Sequence, residues 1–267
     1  MTELLRGLPP LLASHLELAL VALIAGTAIS LPLAIAAAGR PRVAFAVIAV
    51  AGVAQTIPGL ALLALMVPLL AETGGLGVGA SPFGFAPAVL ALIIYAILPI
   101  LRNAITGLRG VDPAVIDAAR GMGMAPGQIL RRIQLPLAAP VIAAGIRTAA
   151  AWTVGAATLA TPVGQACLGN YIFTGLQTRN WSMLLVGVAA AAALAIALDL
   201  VLGAAERALG GHHHHRHHRR RFAIPAAAFV GLILLVIGIL PRCAGPSAGG
   251  VEPATAAAPA PVAGRRP

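Results

Sequence analysis

The chain has 267 residues, of which 59% are hydrophobic and only 10% are charged. A soluble domain does not need so much apolar side chain to fill its core, so this composition excludes one and indicates a protein of the lipid bilayer. The 18 basic residues are all arginine and outnumber the 8 acidic residues, giving a formal net charge of +10. Because these arginines lie at the ends of apolar runs with few aromatic residues between them, we expect them to set membrane orientation and not to bind nucleic acid.

Six apolar runs are long enough to form membrane spans, because a helix needs about 20 apolar residues to cross about 30 Å of hydrocarbon. We predict six transmembrane helices, at residues 11–38, 43–70, 87–106, 138–161, 183–205 and 222–240. No cleavable signal sequence is recognisable in residues 1–10, so we expect the first run to remain as a span.

The second run contains Gln55-Thr56-Ile57-Pro58-Gly59, a sequence that kinks or breaks a helix. The run is therefore either one kinked helix or two short pieces. One crossing places Arg40 and Arg42 on the same side as the later arginine clusters, and an excess of bases marks the cytoplasmic side. We therefore predict one kinked span, with residues 1–10 outside the cell.

Residues 112–136 form a polar interruption between the third and fourth runs. Asp112-Pro113 is a strong helix start, and Gly121 or Gly123 can end that helix because glycine tolerates positive φ. Pro126 begins a second helix, which we expect Leu135-Pro136 to stop. The result is a short cytoplasmic two-helix hairpin, too short to be stable without a partner surface.

The hairpin carries a recognisable pattern: Asp117-Ala118-Ala119, three residues, Gly123, nine residues, Ile133, one residue, then Leu135-Pro136. This resembles the signature of the permeases of ABC importers, with Asp117 in place of the usual glutamate. Three longer stretches, residues 55–70, 95–124 and 135–160, look like the permeases of osmoprotectant importers for glycine betaine, carnitine or choline. The likeness extends over about residues 16–202. One departure is "GQACLG" at residues 164–169, where that family commonly has Gly-Ala-Gly-Gly-Leu-Gly.

The resemblance implies an all-α integral membrane protein with the type I ABC-importer (MetI-like) permease fold over residues 11–205. It implies a system of the bacterial cytoplasmic membrane in which a separate ATPase subunit binds ATP and Mg, an extracytoplasmic binding protein delivers the osmoprotectant, and a second permease subunit forms a homo- or heterodimer. The hairpin would dock on the ATPase. The expected coupling residues are Asp117, Ala118, Ala119, Gly121, Gly123, Ile129, Ile133, Leu135 and Pro136.

The chain itself is expected to be neither an ATPase nor a cofactor protein. It contains no lysine and hence no Gly-x-x-x-x-Gly-Lys phosphate loop. No metal site is expected, because Cys167 and Cys243 lack ligand spacing and the consecutive histidines in residues 212–218 give a poor fixed geometry.

Several polar residues within the spans have two interpretations. The candidates for a pathway or gate are Gln55, Pro58, Gly59, Tyr95, Asn103 and Trp152, which can equally serve helix contacts. The ionisable residues His15, Glu17, Arg147 and Asp199 can form a proton or ion relay. For Arg147 and Asp199 we favour pairing or snorkelling near the cytoplasmic interface.

The C-terminal region divides into a basic His/Arg cytoplasmic linker at residues 206–221, an additional span at 222–240, and an Ala/Pro-rich tail at 241–267 that we expect to be disordered. Three alternative functions remain: a methionine-type amino-acid importer permease, an ion-coupled secondary carrier, and a membrane scaffold that transports nothing.

Overall fold

The computed structural model describes residues 2–74 and 80–209, and within these ranges the chain is helical without a β-strand. The first half contains α1 (Thr2–Ala38), α2 (Pro41–Thr56), α3 (Gly59–Glu72) and α4 (Phe85–Arg109). The second half contains α5 (Pro113–Gly121), α6 (Pro126–Ile129), α7 (Leu135–Ala157), α8 (Gly169–Gln177) and α9 (Trp181–Leu209). A π-helical segment, Leu130–Gln134, joins α6 to α7, and a 3₁₀ segment, Thr158–Val163, continues α7. Helices satisfy their own backbone hydrogen bonds, as a lipid environment requires.

Five of the six predicted spans fall on helices. Among the described residues, α1, α4, the continuous helix from Pro126 to Val163, and α9 are each long and apolar enough to cross a membrane. The fifth is the broken pair formed by α2 and α3. The predicted span at 222–240 and the tail at 241–267 lie outside the described residues, as does most of the predicted linker, of which only 206–209 are described, as the end of α9.

The break in the second run is sharper than one kinked helix. The axes of α2 and α3 differ by 96°, and both Ile57 and Pro58 are extended, with ψ of 124° and 139°. The cause is local, because proline disfavours the α conformation in the residue before it. Even so, α2 packs into the core at one end of the bundle and α3 into the core at the other, so the pair passes from end to end as one broken crossing.

The helix bundle is centred on α4, which packs against α1, α2, α3 and α7. Its core has three apolar clusters, and two of them mark the ends of the bundle. The first includes Leu18, Leu63, Leu92 and Val163, and we call its end of the bundle the loop end. The second includes Leu101, Leu108 and Ile142 and lies beside residues 112–136, at what we call the hairpin end.

Small residues bring the central helices close together, as is common in membrane bundles. A Cβ added at Gly145 of α7 would lie 2.6 Å from the Cβ of Asn103 and 3.0 Å from the Pro99 carbonyl oxygen, both on α4. Since real Cβ atoms do not approach so closely, the α4–α7 packing requires glycine at this position.

The Gly145→Ala substitution is therefore expected to lower the free energy of unfolding by about 1–2 kcal/mol, the cost of overpacking a tight contact. Gly155→Ala on the same helix is the matched control, because a Cβ there meets nothing within 4 Å. Thermal unfolding of the two detergent-purified variants gives their melting temperatures, and we expect a lower value for Gly145→Ala. Equal melting temperatures for the two variants would contradict the packing argument.

Candidate functional site

The first arm of the hairpin is the short helix α5, and its two ends are fixed by side-chain and glycine chemistry. The Asp112 carboxylate accepts a hydrogen bond from the Ala114 N–H at 2.8 Å, and Pro113 is the first helical residue. At the other end, the N–H groups of Gly123 and Met124 donate to the carbonyls of Arg120 and Ala119 at 2.9 and 3.1 Å. This is a Schellman cap, and it places Gly123 at φ +79°. The predicted helix start and the predicted glycine cap are both present.

The second arm differs from the prediction, because Leu135-Pro136 does not stop it. The helix that begins at Pro126 continues through the π segment into α7. In the π segment the Leu135 N–H donates to the Leu130 carbonyl, five residues back. This wider turn accommodates the ring of Pro136 and its missing N–H, which would otherwise kink or break an α-helix. The second arm is thus the first part of the membrane-spanning helix from Pro126 to Val163 and not a separate helix.

The predicted coupling residues divide into an exposed and a buried group. Ala119 and Ile129 are buried, with 1% and 5% of their surface exposed, and Ile133 and Leu135 are half-buried. Of these four, Leu135 packs against the core at the hairpin end, and the two arms of the hairpin contact each other. The exposed residues are Asp117, Ala118, Gly121, Gly123 and Pro136. The hairpin therefore presents a surface that is exposed in the single chain, and the role of these residues in coupling stays a prediction.

The Asp117 carboxylate and Arg120 guanidinium form an ion pair at 2.9 Å, with 69% and 67% of their side-chain surfaces exposed. A pair so open to water contributes little to stability. Both charges remain accessible to a partner surface.

A cavity of about 510 Å³ separates the first turn of α5 from α7. Its lining includes Thr106, Gly110, Val115, Leu137 and Val141. The first turn of α5 is therefore not packed tightly against α7.

Four of the six candidates for a pathway or gate meet at the break between α2 and α3. The Gln55 side-chain amide donates to the Tyr95 carbonyl oxygen at 2.7 Å, and the Tyr95 hydroxyl donates to the Ile57 carbonyl oxygen that the break leaves unpaired. Pro58 forms the break, and a Cβ at Gly59 would lie 3.7 Å from the Tyr95 hydroxyl. Residues of α2, α3 and α4 are thus linked where the helix axis turns.

The other two candidates lie elsewhere. The Asn103 side chain donates to the Pro99 carbonyl at 2.8 Å and packs on Gly145, so it serves a helix contact. Trp152 is 54% exposed on α7. Whether any of the six lines a pathway stays a prediction.

Arg147 is paired within the bundle, as the sequence favoured. Its Nε and Nη2 donate to the two oxygens of Asp199 at 2.5 and 2.7 Å, and its Nη1 lies 3.3 Å from Glu206 Oε2. Glu206 was missed, although it lies two helical turns after Asp199 and so on the same face of α9. The three charges fasten the hairpin-end half of α9 to α7.

His15 is fully buried and held on both sides of its ring. One nitrogen lies 3.1 Å from the Val154 carbonyl oxygen, and the other accepts from the Leu168 N–H at 3.4 Å. Glu17, by contrast, is exposed. Within the described ranges, no three His, Cys, Asp or Glu side chains lie together as metal ligands. The histidine run at 212–218 lies outside those ranges.

Comparison with known proteins matches the chain to a family, to individual permeases and to a solved structure. Residues 30–211 match the family described as "Binding-protein-dependent transport system inner membrane component". The choline transport system permease protein OpuBB of Bacillus subtilis (strain 168) is 41% identical over 195 residues, which cover 73% of this chain and 85% of that protein. The glycine betaine/carnitine/choline transport system permease protein OpuCB of the same organism is 39% identical over 193 residues, covering 72% and 84%.

A solved structure of the MetNI methionine ABC transporter, described as inward facing, superimposes with a TM-score of 0.66. It is 23% identical and covers 76% of this chain and 95% of that one. The shared fold confirms the predicted MetI-like architecture.

Proposed function

The chain belongs to the family of binding-protein-dependent transport system inner membrane components, so it is a membrane-spanning permease subunit, and we propose that its system imports an osmoprotectant. The proposed substrates are choline, glycine betaine and carnitine. The observation that carries this proposal is the 41% identity to a choline permease over 85% of that protein's length. The second relative, named for all three compounds, supports the same substrate class.

The partner that supplies energy is proposed to be an ATPase subunit, which binds ATP and Mg and docks on the exposed face of the hairpin. Asp117, Ala118 and Gly121 are exposed on α5 and offer that face, while Ala119 and Ile129 of the same hairpin are buried. The second arm continues into α7 without interruption. A displacement of the hairpin by the ATPase would therefore move the whole helix from Pro126 to Val163, which reaches the opposite end of the bundle. Such continuity supports a direct mechanical link between ATP turnover and the spans.

The proposed orientation puts the hairpin end in the cytoplasm and the N-terminus outside. The Arg109 side chain donates to the Ala38 carbonyl at 2.9 Å, which brings the end of α1 and the start of α2 to the same end as the hairpin. Six exposed arginines gather there: Arg40, Arg42, Arg109, Arg120, Arg131 and Arg132. An excess of bases of this kind favours the cytoplasmic side.

The remaining partners are an extracytoplasmic binding protein, which delivers the substrate, and a second permease subunit. In this scheme the break at Ile57-Pro58 is a hinge, and the contacts of Tyr95 with both sides of it set the position of the gate. Substrate passes as the spans alternate between two arrangements whose populations ATP shifts.

The alternatives are less well supported by the described residues. A secondary carrier needs ionisable groups free to bind the coupling ion. In α9 both carboxylates are instead paired with Arg147, and His15 has both ring nitrogens engaged. A methionine-type importer shares the fold, but that similarity is at 23% identity.

Uptake into sealed vesicles tests the proposal. The complex of this subunit with its ATPase is reconstituted, ATP and Mg are enclosed, and binding protein with radiolabelled choline, glycine betaine, carnitine or methionine is added outside. We expect uptake of at least one of the first three to require internal ATP and to persist after ion gradients are dissipated. Uptake of methionine alone, or uptake driven by a gradient without ATP, would overturn the assignment.

A further inference from the structure

At the loop end of the bundle, residues 164–168 form a non-helical segment in which three of the five residues are buried. Gln165 is 8% exposed, and Cys167 and Leu168 are fully buried. Non-helical backbone at the end of a membrane span must have its polar groups satisfied by neighbours or water. Here two of the backbone groups, the Ala166 carbonyl and the Leu168 N–H, have their partners on α1, more than 150 positions earlier in the chain.

Two polar side chains join α1 to this segment. The Ser14 hydroxyl donates to the Ala166 carbonyl at 2.8 Å. The Gln165 side-chain amide donates to the Ser14 hydroxyl oxygen at 2.9 Å and lies 3.2 Å from the Ala166 carbonyl oxygen. Gln165 occupies a place where the permeases that this chain resembles commonly have alanine, so the second contact is made by a departure from the common pattern.

His15 adds the third contact. Because one of its nitrogens accepts from the Leu168 N–H, the other must carry the proton and donate to the Val154 carbonyl. The ring therefore connects α1, α7 and the buried segment through a single neutral tautomer. We call Ser14, His15 and Gln165 the loop-end clasp.

The segment is also fixed at its two ends. The Gly84 N–H, just before α4, donates to the Val163 carbonyl at 2.8 Å. A Cβ at Gly169 would lie 1.9 Å from the Thr158 carbonyl oxygen, so only glycine allows α8 to begin there. The clasp thus joins α1 to α7 and to residues 164–168, and the Gly84–Val163 bond ties the start of α4 to the same region.

The chemistry of the clasp suits a contact that breaks and re-forms. Opening the apolar core below it would expose Leu18, Leu63 and Leu92, at a cost proportional to the area exposed. The hydrogen bonds of the clasp can instead be exchanged for hydrogen bonds to water at small net cost when the segment moves outward, and Gly164 and Ala166 of that segment are already exposed.

We propose that Ser14, His15 and Gln165 are positioning residues that hold residues 164–168 closed over the external end of the bundle and release them when the permease opens outward to receive substrate. This inference rests on the proposed function and on its orientation. Since the clasp favours the closed arrangement, weakening it shifts the population toward the outward-open one.

The test uses the reconstituted complex and compares ATP turnover with and without substrate-loaded binding protein. Ser14→Ala and Gln165→Ala each remove two of these contacts, and each is expected to raise ATP turnover without binding protein by at least about fivefold, the effect of losing one hydrogen bond. Turnover with binding protein stays near the original value, so the stimulation ratio falls. The double variant is expected to exceed either single variant but to fall short of the product of the two effects, because both single variants remove the Ser14–Gln165 bond and each also removes its own contact with the Ala166 carbonyl.

Ser14→Thr, which keeps the hydroxyl, is expected to restore the original ratio. Thr178→Ala, at an exposed hydroxyl of the same end that bonds only within its own helix region, is expected to leave it unchanged. Suppose that the complex without substitutions imports substrate. If both alanine variants then keep its stimulation ratio, or lose ATP turnover equally with and without binding protein, the clasp has only a structural role and the inference is wrong. Failure of the unchanged complex to import with ATP would instead refute the proposed function.

Discussion

Replacing Asp117 by arginine is expected to abolish ATP-driven uptake. The Asp117 side chain is 69% exposed and makes an exposed ion pair with Arg120, so its loss should hardly affect folding. On the proposed docking face, however, the group of the ATPase that pairs with the Asp117 carboxylate would meet a positive charge instead of a negative one. Like charges at an interface cost several kcal/mol, and about 3 kcal/mol corresponds to an affinity roughly 100-fold weaker. We therefore expect uptake to fall to background while the binding protein still captures substrate.

Two controls make this result specific to the hairpin. Asp117→Glu introduces the residue usual in the signature that this chain resembles, and it is expected to support full uptake. Arg42→Asp reverses an exposed charge at the same end but outside the hairpin, and it should leave ATPase binding intact. If Asp117→Arg imported substrate at the normal rate and co-purified with the ATPase, the coupling assignment would be wrong.

Replacing Arg147 by methionine is expected to have the largest effect on stability. The guanidinium is 22% exposed and neutralises Asp199 and Glu206, which are 37% and 27% exposed. Removing one partner leaves carboxylates without a counter-charge inside the bundle, a loss of 3–5 kcal/mol for a fully buried pair. Because these groups retain some exposure, we expect the free energy of unfolding to fall by about 2–3 kcal/mol.

A double-mutant cycle separates this effect from lost packing. Arg147→Met combined with Asp199→Asn and Glu206→Gln is expected to recover most of the loss, because no unpaired charge remains. Urea or thermal unfolding in detergent gives the free energy of unfolding of four proteins: the original chain, the Arg147→Met variant, the variant with both carboxylates replaced, and the variant with all three substitutions. Strict additivity of the arginine and carboxylate substitutions would show that the ion pairs contribute nothing.

The hairpin was predictable because its determinants are local. Asp112 and Pro113 start α5 and Gly123 ends it, and each acts on backbone groups within a few residues. The rule that proline ends a helix failed at Pro136 for an equally local reason. A π turn before it supplies the extra residue that the ring requires, and nothing in the sequence separates that outcome from a break.

Contacts between distant parts of the chain were much less predictable. The sequence suggested that Arg147 and Asp199, 52 positions apart, would pair or reach the interface, but it did not include Glu206. Ser14 and Gln165 were not candidates at all, because their contact depends on how α1 crosses the end of α7. Only the departure at residues 164–169 from the common turn marked that region.

The location of the hairpin tests the central claim most directly. In a background with Cys167→Ser and Cys243→Ser, Met122→Cys places a thiol at a hairpin position that is 73% exposed, and Phe83→Cys places one at the loop end, where the side chain is 62% exposed. We predict that a membrane-impermeant maleimide labels Phe83→Cys but not Met122→Cys in intact cells. It should label Met122→Cys in inside-out vesicles, and bound ATPase should protect that thiol. Labelling of Met122→Cys in intact cells would place the hairpin outside and contradict its coupling to a cytoplasmic ATPase.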